Sequence, residues 1–491
     1  MVPFLPLQLD RESRVPLQQQ LYDEVRSAIL SGRLSPGARV PATRALAADA
    51  GISRNTVAGA FDQLLAEGYL EGKVGSGTYV ARSLPEDLLR ARRPASPVRK
   101  LEPAGDLSRR GRMLAAIPFS AARRGVATAR AFRPGVPALD EFPRVLWARL
   151  AARLLRHAPD AILTYGEPAG YRPLRQAIAG YLRAARGVRC SAEQVIVTAG
   201  SQQALDLAVR LLLDPGDTAW VEDPGYLGAR GAFRAAGIRT VPIPVDHEGL
   251  NAAEGESRAP EARLACVTPS HQFPLGATMP LARRMMLLDW ARRRRAWIVE
   301  DDYDSEFRYA GRPLPALQGL DSSGRVIYTG TFSKVLFPAL RLGYMVVPKQ
   351  LVDAFVSARA LADRHPPGLE QALAAEFLAE GHFARHLRRM RALYAERQQA
   401  LLAALRSEIG DGLEVAPAEA GMHLIGWLRN GADDSAVAQK AAEAGVLVTD
   451  LSAYSMKAQL RPGLLLGYAA FTPRQIREAA RKLAVVLNSV K

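Results

Sequence analysis

The sequence predicts an α/β protein made of a small N-terminal module and a larger second module. Three observations predict this fold class. The chain has 491 residues of which 48% are hydrophobic, apolar residues recur at helical spacing near the N-terminus, and short β-branched runs alternate with helices further on. At roughly 100 to 200 residues per domain, this length corresponds to about three packing units. The apolar fraction is enough to fill their cores, which excludes a wholly disordered chain.

The cysteine content and the hydropathy pattern predict a cytoplasmic protein. Cys190 and Cys266 are the two cysteines, too few for a disulfide framework or a multi-thiolate metal site. No apolar stretch approaches the roughly 18 to 20 residues that span a bilayer. The N-terminus also lacks a basic segment followed by an apolar one, so we expect neither a signal peptide nor a membrane partner.

The positive charge is unevenly distributed along the chain. The formal net charge is +16, which favours a polyanionic partner. Residues 1–81 contain eight Lys/Arg and eight Asp/Glu, whereas residues 82–112 contain nine against four together with four prolines. The second segment is typical of a basic, semi-extended linker. We therefore expect domains at 1–81 and 113–491, joined by a linker at 82–112.

The first module is predicted to contain three helices and a hairpin. Apolar residues recur at helical spacing from Leu17 to Leu30. Thr43 is positioned to cap a second helix, and Ser53 to cap a third that closes at Gly68. Two short strand-like segments follow, joined across residues 72–77.

Two short helices joined by a tight turn, followed by a hairpin, are typical of a winged helix-turn-helix. Residues 53–56 then begin the recognition helix, where side chains meet base edges and phosphates. For any one of these residues alone, an ordinary capped surface helix is the alternative.

Residues 16–80 resemble the GntR-type winged helix almost throughout, from PLQQQLYDEVRSAIL through RALAADAGISRNTVAGAF to EGYLEGKVGSGTYV. The resemblance implies contacts to double-stranded DNA from the second helix, the recognition helix and the wing. The corresponding residues are Arg44, Ser53, Arg54, Thr56, Lys73 and Gly75. A further recognition-helix Arg of some relatives is Ala58 here, so the resemblance does not imply an operator sequence.

The second module is predicted to form a largely parallel sheet covered on both faces. Its strand-like runs are VIVTAG (195–200), AWVEDPGY (219–226), ARLACVTPS (262–270), RAWIVEDDY (295–303) and RVIYTGTF (325–332). Helices such as SQQALDLAVRLLL (201–213) separate them. In such folds ligands bind beyond the carboxyl ends of the strands.

Polar residues follow several of these strands. Ser201 and Gln202 follow Gly200 at the start of a helix, where a phosphate dianion can bind. Asp301 ends a strand, with Tyr303 two residues later, and its carboxylate could pair with a protonated ring nitrogen. A capped helix start and a solvated acidic loop are the alternatives for these two segments.

The segment YTGTFSKVLFPALRLGY adds a lysine and an arginine. Lys334 lies among apolar residues that favour a neutral amine available for a Schiff base. Arg341 can donate two hydrogen bonds to a phosphate, and Tyr226 in EDPGY could stack on a pyridine ring. A buried, paired Lys and a core or rim Tyr are the alternatives. Together the segments fit pyridoxal phosphate.

Residues 115–491 resemble the fold-type I aminotransferases. The motifs are LTYGEPAGYRPLRQAIAGYL, EDPGY, TPSHQFPLG, EDDYDSEF and GTFSKVLFPALRLGY. This resemblance implies a mostly parallel sheet with flanking helices and a smaller C-terminal α+β subdomain. It implies an internal aldimine at Lys334, a contact of Asp301 with the ring nitrogen and one of Tyr303 with the phenolic oxygen. The full cofactor-binding set is Lys334, Asp301, Tyr303, Ser201, Gln202, Tyr226, Thr331, Ser333 and Arg341.

With its GntR-type head, the chain as a whole resembles the MocR/GabR-type transcriptional regulators. The resemblance implies a head-to-tail homodimer that binds paired DNA half-sites and senses an amine, an amino acid or a vitamin B6 vitamer through Lys334. An active aminotransferase with an accessory DNA-binding head is the alternative function. A cofactor-free DNA-binding scaffold is the third hypothesis.

Two positions depart from the aminotransferase pattern. Phe273 stands where the enzymes place an Asn that donates to the phenolic oxygen, and His271 and Gln272 either compensate or bond within their own loop. Leu465 stands where the enzymes place the Arg that binds the substrate carboxylate. Arg230 and Arg461 are the candidate substitutes for this Arg, and an effector without a carboxylate becomes possible.

Overall fold

The computed structural model describes residue 7 and residues 9–73, 77–85, 107–117, 131–310, 314–429 and 431–490. Contacts within the chain define two compact units, Met1–Asp106 and Leu107–Lys491. Among the described residues, none of the helices is both long and apolar enough to cross a membrane.

The first unit contains three helices and a two-stranded antiparallel sheet. Its elements are α1 (Leu17–Leu30), α2 (Thr43–Ala50), α3 (Arg54–Ala66), β1 (Leu70–Lys73) and β2 (Gly77–Val80). The core is formed by buried residues from all three helices and both strands, among them Leu21, Val25, Leu46, Val57, Phe61, Leu70 and Val80. The winged helix-turn-helix predicted from the sequence is therefore the fold of this unit.

The turn between α2 and α3 forms as the sequence predicts. Gly51 has φ of 63°, a left-handed conformation that glycine adopts without steric strain. The Ser53 hydroxyl then accepts a hydrogen bond from the Thr56 amide at 3.1 Å, which caps α3. One local difference is that α2 begins at Thr43 with Ala42 as its N-cap.

The second unit begins with a helix in the last part of the predicted linker. Helix α4 (Arg109–Ala115) starts after Ser108, whose hydroxyl accepts a hydrogen bond from the Gly111 amide at 3.0 Å. It packs against a helix of the large unit that spans Leu227–Ala235. The contact boundary after Asp106 therefore lies a few residues before the predicted start of the second domain.

An eight-stranded mixed sheet forms the centre of the second unit. The strands are β3 (Val195–Thr198), β4 (Thr218–Asp223), β5 (Arg239–Asp246), β6 (Gly249–Leu250), β7 (Leu264–Val267), β8 (Trp297–Asp302), β9 (Val326–Thr331) and β10 (Gly343–Val346). Their order is β3-β10-β9-β8-β7-β4-β5-β6. The five strands from β9 to β5 run parallel, and β10 is antiparallel to both its neighbours. The carboxyl ends of β9, β8, β7 and β4 therefore meet at one edge of the sheet.

Helices cover both faces of this sheet. They are α5 (Arg144–Arg156), α6 (Asp160–Leu163), α7 (Arg172–Arg186), α8 (Ser201–Leu212), α9 (Leu227–Ala235), α10 (Ala252–Arg258), α11 (Leu281–Arg294), α12 (Leu317–Leu320), α13 (Val352–Asp363) and α14 (Gly368–Ala379). Neighbouring residues of β4 pack in the cores on opposite faces of the sheet. Val221 packs beside α8 and α9, whereas Trp220 stacks on Trp290 of α11. Nearly every residue of β4, β7, β8 and β9 is consequently buried, as expected for a doubly covered sheet.

The C-terminal part of the unit is an α+β subdomain. The long helix α15 (His382–Glu408) leads into the antiparallel strands β11 (Leu413–Val415), β12 (His423–Leu428), β13 (Thr449–Asp450) and β14 (Gly463–Gly467), ordered β11-β12-β14-β13. Helices α16 (Asp434–Glu443) and α17 (Pro473–Ser489) complete it. This arrangement confirms the predicted fold class.

Candidate cofactor site and DNA-binding surface

One cavity of about 370 Å³ lies beyond the carboxyl ends of the parallel strands. That volume is within the range of small-molecule sites. All nine residues predicted to hold the cofactor line it: Ser201, Gln202, Tyr226, Asp301, Tyr303, Thr331, Ser333, Lys334 and Arg341. They come from four separate segments, which the parallel strand order brings to one edge.

One end of the cavity has the geometry of an anion site. Helix α8 begins at Ser201, directly after Gly200 with φ of 103°. A Cβ at Gly200 would lie 3.4 Å from Nη2 of Arg341, so the glycine leaves room between the helix N-terminus and the guanidinium. Arg341 also donates to the Ala199 carbonyl, which holds its side chain beside this turn. Helix amides, a hydroxyl and a guanidinium together suit a phosphate.

The amine of Lys334 lies close to a glycine backbone that sequence analysis did not identify. Lys334 Nζ donates to the Gly135 carbonyl at 2.8 Å. A Cβ at Gly135 would lie 2.8 Å from the same nitrogen, so a larger residue there would displace the amine. Gly135 belongs to no chemical motif in the sequence, so its position beside Lys334 is visible only in the folded structure.

Asp301 is a buried carboxyl at the end of β8. The Thr329 hydroxyl donates to its Oδ1 at 3.2 Å. Burial raises the pKa of Asp301 to about 6, while the Thr329 hydrogen bond and the positive charge of Lys334 oppose this rise. A cation that enters the cavity beside Asp301 would stabilise the ionised form further. A protonated pyridine nitrogen is such a cation, so the residues present fit pyridoxal phosphate.

Tyr303 is connected to a buried histidine and aspartate. Its hydroxyl lies 2.9 Å from His271 Nδ1, which is itself 3.1 Å from the Asp304 carboxylate. Burial raises the pKa of Tyr303 well above its ordinary value. Gln272, by contrast, bonds within its surroundings, donating to the Pro224 carbonyl at 3.0 Å. Of the two residues considered as replacements for the missing Asn, only His271 reaches a predicted site residue.

Aromatic rings form another wall of the cavity. The Phe273 ring contacts Tyr303, His423 and Tyr454 edge-on, with centroids 5.8, 5.6 and 5.1 Å away. His423 donates from Nε2 to the Pro274 carbonyl at 3.1 Å, and burial lowers its pKa to about 3. The imidazole is therefore neutral. Sequence analysis missed His423 and Tyr454, because the C-terminal subdomain that carries them has no distinctive chemical motif.

The position of the enzymes' carboxylate-binding arginine and the first candidate substitute both lie outside the lining of the cavity. Leu465 lies in β14, fully buried, opposite Ile425 and Thr449. Arg230 donates to the backbone carbonyls of Gly225 and Tyr454. Neither Leu465 nor Arg230 lines the cavity.

Arg461, the second candidate, forms its contacts on another surface of the unit. Arg461 forms an ion pair with Glu414 at 2.8 Å, and the two side chains are about half exposed. It is not among the residues that line the cavity. Neither arginine lines the cavity within the described part of the chain, and the substitution of Arg230 or Arg461 for the clamp stays a prediction.

The predicted DNA-contacting residues lie at the surface of the first unit. Arg44 on α2, Ser53 and Arg54 at the start of α3 and Lys73 at the end of β1 are exposed, and Thr56 is half-buried. Lys73 Nζ lies 5.0 Å from the centroid of the Tyr79 ring. Gly75, the sixth predicted contact, lies outside the described residues.

Comparison with known proteins matches both units to known families. Residues 17–80 match the family model described as bacterial regulatory proteins, gntR family, and residues 135–483 match aminotransferase class I and II. The solved LysN α-aminoadipate aminotransferase of Thermus thermophilus, complexed with N-(5'-phosphopyridoxyl)-L-leucine, is 33% identical with a TM-score of 0.71. That similarity covers 78% of this chain and 97% of LysN.

Full-length relatives share the whole two-domain arrangement. The chain is 46% identical over 477 residues to the probable rhizopine catabolism regulatory protein MocR of Rhizobium meliloti, covering 97% of this chain and 95% of that protein. It is 31% identical over 483 residues to the pyridoxine biosynthesis transcriptional regulator PdxR of Corynebacterium glutamicum, covering 97% of each.

Fold and site thus define a DNA-binding protein whose large domain is of the pyridoxal 5'-phosphate-dependent, fold-type I aminotransferase type. The chain belongs to the MocR-type family of transcriptional regulators, in which a GntR-type winged helix-turn-helix is fused to such a domain. Its cofactor is pyridoxal 5'-phosphate, which excludes the hypothesis of a cofactor-free scaffold.

Proposed function

We propose that the aminotransferase-like domain acts as a sensor: a small primary amine or an amino acid takes the place of Lys334 on the cofactor, or a vitamin B6 vitamer binds at Lys334 itself. The observation that carries this proposal is the convergence of all nine predicted cofactor residues on one cavity. When bound, the cofactor supplies an aldehyde carbon that condenses with primary amines. Lys334 is the amine that this chain itself offers to that carbon.

The surrounding residues have distinct roles in this proposal. Arg341 and the N-terminus of α8 hold the phosphate, and Asp301 keeps a proton on the ring nitrogen. Tyr303, held by His271 at 2.9 Å, donates toward the phenolic oxygen and thereby fulfils part of the role of the missing Asn. The Gly135 carbonyl, 2.8 Å from Lys334 Nζ, accepts a hydrogen bond from the amine whenever Lys334 is released.

The DNA side of the proposal involves a homodimer that binds paired half-sites. Exposed apolar side chains on the large unit favour a second copy as partner: Leu163 is 65%, Tyr165 75% and Leu361 88% exposed. Apolar side chains left this exposed favour a protein interface when they form a patch. Two heads in one dimer would read two half-sites whose spacing the dimer fixes. With DNA as its partner, we place the protein in the cytoplasm.

The test of the sensor is whether the cofactor is attached at Lys334. After reconstitution with pyridoxal 5'-phosphate, borohydride reduction should fix the cofactor covalently to the peptide that contains Lys334, as detected by mass spectrometry. Lys334→Ala should lose both the adduct and the visible absorbance of the wild type. Lys349→Ala, at an exposed lysine, should retain both. An adduct on another lysine, with Lys334→Ala unchanged, would refute the assignment.

Transamination is the second candidate function, favoured by the similarity to the LysN aminotransferase. The buried Leu465 disfavours it, because the usual amino-acid substrates lose the arginine that binds their carboxylate. Keto acid accumulating over many turnovers per site would establish it, whereas at most one equivalent per site would leave sensing as the function.

A further inference from the structure

We propose that the effector is a primary amine that carries no carboxylate group. This inference rests on the proposed sensing function and narrows the class of molecule that the cavity accepts. It follows from the charges around the cavity, from the residue at the position where related enzymes bind carboxylates, and from the rings of the cavity wall.

The cations that line the cavity are already assigned to the cofactor. Among the lining residues in the described parts of the chain, these cations are Lys334 and Arg341. Arg341 lies at the anion end, against the turn at Gly200, and Lys334 lies at Gly135. His423 carries no charge, because burial lowers its pKa to about 3. Within the described chain, no lining cation is therefore left over to pair with a carboxylate on the effector.

The remaining ionisable groups around the cavity are acidic. The carboxyl groups of Asp301 and Asp304 line the cavity, and both are buried. Next to them, a carboxylate on the ligand would meet like charges in a region of low dielectric. A buried carboxylate without a cation or sufficient hydrogen bonds loses more solvation free energy than it regains. The cavity therefore selects against amino acids and in favour of amines.

Because Leu465 is apolar, this position of strand β14 offers no cation that could pair with a carboxylate on the effector. It is fully buried in the sheet between Ile425 and Thr449, so an apolar side chain fills the place where an arginine would extend. Arg230 is held by the carbonyls of Gly225 and Tyr454. Releasing it toward a ligand would leave the Tyr454 carbonyl with one donor fewer.

The rings of the wall suit an apolar or aromatic body on the amine. Phe273 stands between Tyr226, with centroids 6.2 Å apart, and Tyr454, at 5.1 Å, and all three rings line the cavity. A ring or an aliphatic chain packs against such a wall by burying apolar area. Matched pairs of an amino acid and its decarboxylated amine therefore isolate the effect of the carboxylate.

The experiment titrates the reconstituted full chain with such pairs while the cofactor absorbance is followed. The pairs are phenethylamine with phenylalanine, tyramine with tyrosine, histamine with histidine, and isoamylamine with leucine. We expect the amines to give apparent dissociation constants at least about tenfold lower than their amino acids, a factor that corresponds to about 1.4 kcal/mol. In Lys334→Ala reconstituted in the same way, the response that depends on displacing Lys334 should disappear.

The outcomes separate this inference from the proposed function. An amino acid that binds as tightly as its amine, or more tightly, would overturn the inference and leave the sensing function intact. A cofactor spectrum that none of the eight compounds changes, in a protein that retains the Lys334 adduct, would overturn the sensing function and the inference with it.

Discussion

Burial controls the protonation of the carboxyl groups beneath the cavity. Glu222, at the end of β4, accepts hydrogen bonds from the Thr268 amide at 3.0 Å and from the Thr268 hydroxyl at 2.6 Å. Burial nevertheless raises the pKa of Glu222 from 4.5 to about 7. The folded protein therefore binds a proton that the unfolded chain releases at lower pH.

This difference predicts that the stability of the protein depends on pH. The variant Glu222→Gln should show a weaker pH dependence. The folded-state pKa lies above the unfolded value, so the free energy of unfolding should fall as the pH rises from 4.5 to about 7. At pH 8, Glu222→Gln should be more stable than the wild type by about 3 kcal/mol, and at pH 4 the two should be equal. Urea unfolding followed by tryptophan fluorescence reports this, because all five Trp lie between positions 147 and 427, within the second unit.

The exposed residue Glu370 provides the control for this measurement. Glu370→Gln should leave both the stability and its pH dependence unchanged. A part of the wild-type slope will remain in Glu222→Gln, since burial also raises the pKa of Glu300 and Glu306 to about 7. Equal stability of wild type and Glu222→Gln at pH 8 would show that burial does not raise the pKa of Glu222.

At the level of single residues, site residues that belong to recognisable sequence motifs could be predicted. Residues that matter only because the fold places them beside the site could not. Ser201, Asp301, Lys334 and Arg341 belong to motifs that follow strands, so their convergence could be predicted. Gly135 could not be predicted, because its place beside Lys334 depends on a contact between residues 199 positions apart.

The elements show a similar division. Strands β3, β4, β7, β8 and β9 and helix α8 have long apolar patterns, and the sequence predicted each of them to within a few residues. The parallel strand β5 was not predicted. Strand β10 was not predicted, because its antiparallel direction follows from a turn at Arg341, whose φ is 52°. Helix α4, with the sequence RRGRMLA, lacks a clear apolar stripe and was included in the linker.

The cap of α3 gives a prediction at the level of the element. The Ser53 hydroxyl accepts from the Thr56 amide at 3.1 Å, so Ser53→Ala should destabilise the start of α3 by about 1 kcal/mol. Ser53→Asn should retain most of that stability, because Asn also caps helices. Hydrogen exchange of peptides covering residues 54–66, measured in the full chain, distinguishes the two variants. Equal exchange in wild type and Ser53→Ala would show that the cap does not stabilise the helix.

In the whole molecule, positive charge and DNA-binding residues are distributed differently. Residues 1–81 are formally neutral, with eight Lys/Arg and eight Asp/Glu, although they form the DNA-binding domain. We therefore expect the DNA affinity of this domain to come from a local set of exposed cations, namely Arg44, Arg54 and Lys73. The excess charge of residues 82–112 and of the large domain can add phosphate attraction that weakens with salt.

The regulator model requires that the amine and the DNA influence each other's binding. A ligand shifts DNA affinity only if it binds the competing forms of the protein with different affinity. The coupling is reciprocal, so DNA must change the affinity for the amine by the same factor. The residue that connects the two processes in our model is Lys334, because the amine competes with it for the cofactor.

The most direct test measures DNA affinity with and without the amine. The probe is the DNA fragment that the full chain enriches from a random-sequence pool, and the amine is whichever of phenethylamine, tyramine, histamine and isoamylamine changes the cofactor spectrum most. For wild type and Lys349→Ala we predict a change in the dissociation constant for DNA of at least about fivefold. For Lys334→Ala we predict no change on adding the amine. An amine-dependent shift of the same size in Lys334→Ala would contradict the claim that this protein senses its effector through Lys334.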